Sequence, residues 1–262
     1  MERNQLTKAQ RWAIANRLAC DRLPAINEML EPVKPRDGFY VRYGKRGIDI
    51  LVAGTALAVS APLNLALAVA TFLDVGRPII FRQERTGKNG KSFTIVKFRN
   101  MRNATDERGE LLPAAQRVTK FGAFVRRTSL DEFLNFWSVL KGDMSIIGPR
   151  PLVPEYLGRY NARHRARLAV RPGLECPPRQ PLDHVWTWQD QFENDVWYVE
   201  HVSLATDVMM FVNLIRFALD RKSAEARSRV SQRGIFMGYS LDGTAINLEQ
   251  VPQEYVDDAC NE

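Results

Sequence analysis

The chain has 262 residues, enough to bury one good core with small appendages. An apolar share of 45% and a charged share of 26% are ordinary for a folded protein and exclude a disordered class. The formal charge of +7 favours anionic partners: nucleic acid, acidic lipid or a phosphorylated small molecule.

Cys20, Cys176 and Cys260 are odd in number and far apart, which argues against a disulfide framework and for a reducing compartment. None of the three histidines stands in a zinc-like spacing with another His or Cys. Residues 1–30 are charged and lack a long apolar run, so no cleavable signal is expected there.

Residues 1–31 read as a peripheral helical arm carrying no chemistry, interrupted at Pro24 and ended by Pro32 and Pro35. A membrane-surface or partner contact is the other reading of this arm. Residues 50–73 contain no charge, and a helix of about twenty apolar residues is long enough to cross the hydrocarbon core. Pro62 removes a helix hydrogen bond and predicts a kink, with Ser60 available to a freed carbonyl. Both flanks are basic: Arg42, Lys45 and Arg46 before the run, Arg77, Arg82, Arg85 and Lys88 after it. The positive-inside preference puts basic flanks on the cytoplasmic side, so a re-entrant helix broken at Pro62 satisfies both. A single crossing is the alternative. Asp49 and Asp74, at the two ends, read as interfacial residues.

Residues 81–100 predict a β-hairpin or a loop plus strand, turning at 87–90. Lys97, Arg99 and Arg102 then interleave with Phe98 and Met101, a pattern that suits phosphate binding and equally a plain amphipathic strand. Polar residues 103–117 read as a surface loop.

Residues 126–151 hold the densest chemistry. Asp131 and Glu132 open an apolar helical pattern whose expected buried face is Leu130, Phe133, Leu134, Trp137 and Leu140, with a stop at Lys141-Gly142. Ser129 with Glu132 three residues on is a capping-box pattern, a structural role that competes with a chemical one. A carboxylate such as Asp131 is a competent nucleophile toward phosphorus. Glu132, with Asp131 as a second candidate, offers oxygen ligands for Mg²⁺. Lys97, Arg126 and Arg150 supply the cations that phosphoryl transfer needs. Arg150 lies in a Gly-Pro-Arg-Pro loop, where flanking prolines restrict the backbone and suit a bidentate grip on phosphate.

Residues 154–170 predict a helix bearing Arg159, Arg163, His164, Arg165 and Arg167, either a solvated basic face or a contact with lipid headgroups. A proline-rich, irregular loop covers 174–182, and Trp186, Trp188 and Trp197 suit a membrane interface or the core. Residues 205–219 form an apolar helix, capped by Ser203 or Thr206 and too short to span. A basic stretch at 220–236 leads to an acidic, loosely ordered tail.

Several motifs in order carry a resemblance. They are Lys-Phe-Arg at 97–99 with Met101, Ser-Leu-Asp-Glu at 129–132, and the run from Val139 through Gly-Pro-Arg-Pro to Leu152. Gly-Arg-Pro-Ile-Ile-Phe-Arg-Gln at 76–83 and Asp-Val-Trp-Tyr-Val at 195–199 extend it, so that it covers about 43–219. In these the chain resembles the bacterial monotopic phosphoglycosyl transferases, the undecaprenyl-phosphate type of bacterial sugar transferase. The resemblance implies a re-entrant membrane helix kinked at a Ser-Pro element, matched loosely by Ser60 and Pro62 with Ala61 between them. It implies that Asp131 attacks the β-phosphate of a UDP-sugar, releasing UMP, and that polyprenyl phosphate resolves the phosphosugar intermediate. Glu132 and Mg²⁺ assist, and Lys97, Arg126 and Arg150 take the family's basic positions. Two departures stand out: Phe133-Leu134-Asn135 where members commonly read Leu-Pro-Gln, and residues 174–180 where members read Gly-Trp-Ala-Gln-Val. The second leaves the nucleotide-sugar specificity open.

The expected fold is α+β and mainly helical, a membrane-associated domain with a re-entrant, Pro-kinked helix and a small β-hairpin or sheet. The expected parts are an N-terminal helical extension (1–40), the membrane helix (41–76), a cytoplasmic catalytic domain with interfacial helices (77–221) and a C-terminal extension (222–262). The expected setting is the cytoplasmic face of a bacterial inner membrane, in exopolysaccharide, capsule or lipopolysaccharide O-antigen assembly. UDP-sugar, polyprenyl phosphate and membrane lipids are the expected partners. Nucleic acid is not, since no helix-turn-helix or RNA-binding signature occurs. A catalytically silent membrane scaffold is the alternative reading.

Overall fold

The computed structural model describes residues 3, 6–106, 109, 112–179, 184, 186–219 and 233–261. The chain begins with helices α1 (Lys8–Glu28) and α2 (Lys45–Val75), followed by strands β1 (Ile80–Thr86) and β2 (Ser92–Phe98). Short helices α3 (Ala114–Arg117), α4 (Lys120–Arg127) and α5 (Asn135–Lys141) lead to β3 (Ser145–Ile147). Then come α6 (Ala162–Arg165), β4 (Gly173–Glu175), α7 (Trp188–His201) and α8 (Leu204–Leu219). Strands β5 (Phe236–Tyr239) and β6 (Ala245–Asn247) and helix α9 (Gln253–Asn261) close the chain. The sheets are two-stranded, β1–β2, β3–β4 and β5–β6, so the mainly helical α+β expectation holds. The chain divides into two compact units. One comprises Met1–Lys45, Thr86–Lys91 and Ile147–Glu262, the other Arg46–Arg85 and Ser92–Ile146.

In the first unit, α1 is no peripheral arm. It starts in a capping box at Thr7 and runs through Pro24 without interruption. Its Ile14, Leu18 and Ile26 are buried. Ile14 and Leu18 pack with Met237, Ile246, Val251 and Val256, so the expected loose tail is a β-hairpin and helix closing on α1. The acidic composition of the tail concealed its apolar spacing, which only α1 completes. The basic stretch expected at 220–236 lies, up to residue 232, outside the described residues. So do residues 180–182 of the proline-rich loop and 107, 108, 110 and 111 of the polar one.

The helix expected at 154–170 is instead a series of short turns around α6; of its basic residues Arg159, His164 and Arg167 are buried, Arg163 is half-buried and Arg165 is exposed. Arg159 is fully buried, donating to the Phe236 carbonyl at 3.1 Å with its guanidinium 4.3 Å from the Trp12 ring centre. His164 bonds Glu193 and the Tyr239 hydroxyl, each at 2.9 Å. Arg167 pairs with Asp195 at 2.8 Å, both buried. Neither the solvated-face nor the headgroup reading survives for these three. A buried cation needs a partner or a stack, and each partner comes from distant sequence.

In the second unit, α2 stays helical through Pro62, and Asn64 Nδ2 donates to Ser60 Oγ at 3.1 Å. Thirty-one residues at about 1.5 Å each give roughly 46 Å, more than a hydrocarbon core of about 30 Å. Leu51, Val59, Leu65 and Leu73 are 69–77% exposed, which excludes an ordinary core helix. Asp49 and Asp74 are not merely interfacial. Asp49 is buried and accepts from the Ser145 hydroxyl at 2.9 Å and the Ile146 N–H at 3.0 Å. Asp74 accepts from the Thr119 hydroxyl at 2.5 Å. Arg46 donates to the Val139 and Leu140 carbonyls, and Arg99 to the Val75 carbonyl that ends the helix. Leu67, Phe98 and Val125 form the core between α2, β2 and α4. The hairpin expected at 81–100 is present, with Asn89 in the left-handed region at its turn.

Candidate active site

The expected helix beginning at the acid pair is broken in two. Leu130–Glu132 forms a single 3₁₀ turn, and α5 begins only at Asn135. Ser129 sits at φ 55°, left-handed, and its side chain caps nothing, so the capping-box role for Glu132 does not hold. The backbone does that work, the Glu132 N–H donating to the Ser129 carbonyl at 3.1 Å. The turn aims the two acids differently from one helix face. α5 buries Asn135, Ser138 and Val139, whereas Trp137, expected inside, is 59% exposed. Asn135 Oδ1 accepts from the Val96 N–H at 3.1 Å, fastening the start of α5 to β2. Gly142 ends α5 at φ 98°, the stop that Lys141-Gly142 implied.

Asp131 is buried, and Asn100 Nδ2 donates to its Oδ2 at 3.1 Å. Burial pushes its carboxyl above the usual carboxylate range. The charge of Lys97 opposes that rise, Glu132 adds to it, and Arg126 opposes it. Lys97 Nζ lies 2.5 Å from Glu132 Oε1, a half-buried ion pair beside the buried acid. Of the residues singled out in the sequence, this unit therefore brings together Asp131, Glu132, Lys97 and, through its field, Arg126 on the last turn of α4. Ser60 and Pro62 lie within α2.

Arg150 belongs to the other unit. Its guanidinium donates to Glu175 and to the Leu174 carbonyl, at 3.0 and 3.1 Å. Its own carbonyl accepts from Arg167 at 2.7 Å, so the buried Arg167–Asp195 pair fixes the Pro-Arg-Pro loop. Beneath the loop Gly148 and Gly173 touch backbone to backbone. A Cβ on Gly173 would lie 2.2 Å from the Gly148 nitrogen.

Asn100 was missed in the sequence. It follows Lys-Phe-Arg directly, and the polar residue ending that basic run was the available signal. Gly122 supports it: a Cβ there would lie 2.1 Å from the Asn100 carbonyl oxygen.

Magnesium is commonly held by one or two protein carboxylates, with phosphate oxygens and water completing its shell. Asp131 and Glu132 are a hard-oxygen pair that fits this donor set. Among the described residues no group of three or more His, Cys, Asp and Glu could hold a metal. An ion here would therefore share its coordination with ligand oxygens.

Residues 40–221 match the family described as bacterial sugar transferase. The chain belongs to that family. It is 35% identical to an uncharacterized sugar transferase, EpsL, of Bacillus subtilis strain 168, over 71% of this chain and 93% of the relative. It is also 35% identical to the UDP-N-acetylgalactosamine-undecaprenyl-phosphate N-acetylgalactosaminephosphotransferase of Aeromonas hydrophila. That match covers 67% of this chain but only 43% of the relative. The exopolysaccharide production protein PSS of Rhizobium leguminosarum bv. phaseoli is 33% identical, over 68% of this chain and 96% of the relative. The family membership read from the Asp-Glu and Pro-Arg-Pro motifs is thus borne out.

Proposed function

We propose that the chain is a phosphoglycosyl transferase moving a phosphosugar from a UDP-sugar to polyprenyl phosphate at the cytoplasmic face of a bacterial inner membrane. The carrying observation is Asp131, a buried carboxylate oriented by Asn100 beside the Lys97–Glu132 ion pair. Asp131 Oδ forms a bond to the β-phosphorus as the bond to the bridging oxygen breaks, and UMP leaves with that oxygen. A phosphate oxygen of the polyprenyl phosphate then attacks the same phosphorus and frees the carboxylate, leaving a polyprenyl-diphosphate sugar. Lys97 and Arg126 offset the negative charge gathered around the buried acid. Mg²⁺, held by Glu132 and Asp131, would neutralise the diphosphate. Arg150 keeps the phosphate-binding role that the resemblance implies, with the Glu175 carboxylate as a partner of its guanidinium.

The relatives' names support transfer of a sugar phosphate to undecaprenyl phosphate and a place in exopolysaccharide production, with capsule and O-antigen assembly as the other expected settings. For the membrane helix, the basic residues before and after α2 favour a re-entrant path bent at Pro62, with Ser60 as a local acceptor.

The test is UMP release by the purified full chain with Mg²⁺, polyprenyl phosphate and a panel of UDP-sugars. At least one donor should react, and Asp131→Asn should abolish the release. An unchanged rate in that variant would sink the nucleophile assignment. Silence with every donor would favour the scaffold.

A further inference from the structure

In the unit that holds α2, a recess is lined by Asp74, Arg102, Arg117 and Lys120, with Val118 and Phe121 on its walls. Arg117 is held in place, its Nε donating to the Leu112 carbonyl at 2.7 Å. Among the described residues neither Arg102 nor Lys120 has a carboxylate partner. Among the described residues lining the recess Asp74 is the one acid, and it accepts from the Thr119 hydroxyl. Three cations thus line the recess beside an already bonded carboxylate, and an anion entering it relieves their repulsion.

The neighbouring surface is apolar. The last turn of α2 exposes Phe72 and Leu73, by 48% and 77%, immediately before Asp74. Exposed apolar side chains running into a cationic recess match a molecule with a hydrocarbon chain and a phosphate head. A soluble phosphate would leave the apolar half of the surface unused.

We propose that this recess binds the phosphate headgroup of an anionic bilayer lipid, a phosphodiester whose acyl chain lies along the end of α2. The lipid is bound and not consumed. Neither Asp131 nor Glu132 lines the recess.

The experiment measures retention of phosphatidylglycerol and of phosphatidylcholine by the detergent-solubilised full chain, using native mass spectrometry. Phosphatidylglycerol should be retained in preference. The double variant Arg102→Gln/Lys120→Gln should weaken its retention roughly tenfold or more, since each surface cation contributes appreciably to anionic-lipid binding. Lys88→Gln/Lys91→Gln removes the same charge from the exposed hairpin turn and should leave retention unchanged. Equal losses in both double variants, or equal retention of the two lipids, would overturn the proposal. Displacement by equimolar glycerol 1-phosphate would reassign the recess to soluble phosphate, and displacement by equimolar polyprenyl phosphate to the acceptor. Either result also overturns it.

Discussion

Gly122→Ala places one methyl group where α4 touches the backbone of Asn100. The new Cβ would lie 2.1 Å from the Asn100 oxygen and 2.9 Å from its carbonyl carbon. To reach ordinary contact the two segments must part by roughly 1 Å. The Asn100–Asp131 hydrogen bond is already 3.1 Å long, near the upper limit of its class, so a shift of that size breaks it. Overpacking costs about 1–3 kcal/mol, while alanine in place of glycine returns about 1 kcal/mol of helix propensity. The net loss of stability is therefore small, from about zero to 2 kcal/mol. Loss of a hydrogen bond to a charged group is worth about 1.5–3 kcal/mol, and it falls on the orientation of the proposed nucleophile. Activity should accordingly drop more than stability: kcat for UMP release by roughly tenfold or more, with melting lowered by only a few degrees. Asn100→Ala, which removes the same bond without the overlap, should reproduce the kinetic loss. Gly158→Ala is the control, because nothing lies within 4 Å of its Cβ position. Full activity in Gly122→Ala, or a loss no larger than its unfolded fraction, would refute the reasoning.

Lys97→Met removes a charge that holds the Asp131 pKa down against burial, so that pKa rises further. The acid limb of residual kcat/KM should move to higher pH, and a limb that stays or moves lower would contradict the assignment. Arg167→Met strands the buried Asp195 carboxylate, at a cost of about 3–5 kcal/mol and a fall in melting temperature of roughly 10 °C. Calorimetry of Arg167→Met and of Arg167→Met/Asp195→Leu checks this, since the double variant should recover most of the loss. Single accessible cysteines in the exposed positions of Gly47→Cys and Arg77→Cys, with Cys20 and Cys260 replaced by serine and Cys176 left in its buried place, test the path of α2. An impermeant thiol reagent on intact cells should treat both positions alike, and labelling of one alone would exclude the re-entrant path.

What could be read from the residues depended on whether their partners lay close in sequence. The apolar run of α2, the hairpin turn near Asn89 and the stop at Gly142 are local, and each stands where its pattern put it. Lys97 and Glu132 were named for separate phosphate and metal roles, and they meet as an ion pair. The inward turn of Arg159 and Arg167 was illegible, since a run of basic residues looks the same whether solvated or paired with carboxylates and rings far along the chain. Ser129 misled for a different reason. Its spacing to Glu132 is that of a cap, but a left-handed backbone at φ 55° turns the hydroxyl away from the N–H groups it would bond. The burial of Asp49 was hidden because its partners, Ser145 and Ile146, lie 96 and 97 residues further along the chain.

Those two acids of α2 carry a consequence for how the protein is made. Asp49 and Asp74 supply the acceptors that segments around Ser145 and Thr119 need, and both emerge from the ribosome before those segments. Both segments therefore complete their hydrogen bonds only against a helix already synthesised, so the order of synthesis is also the order in which partners become available: α2 first, the turn that holds Asp131 afterwards.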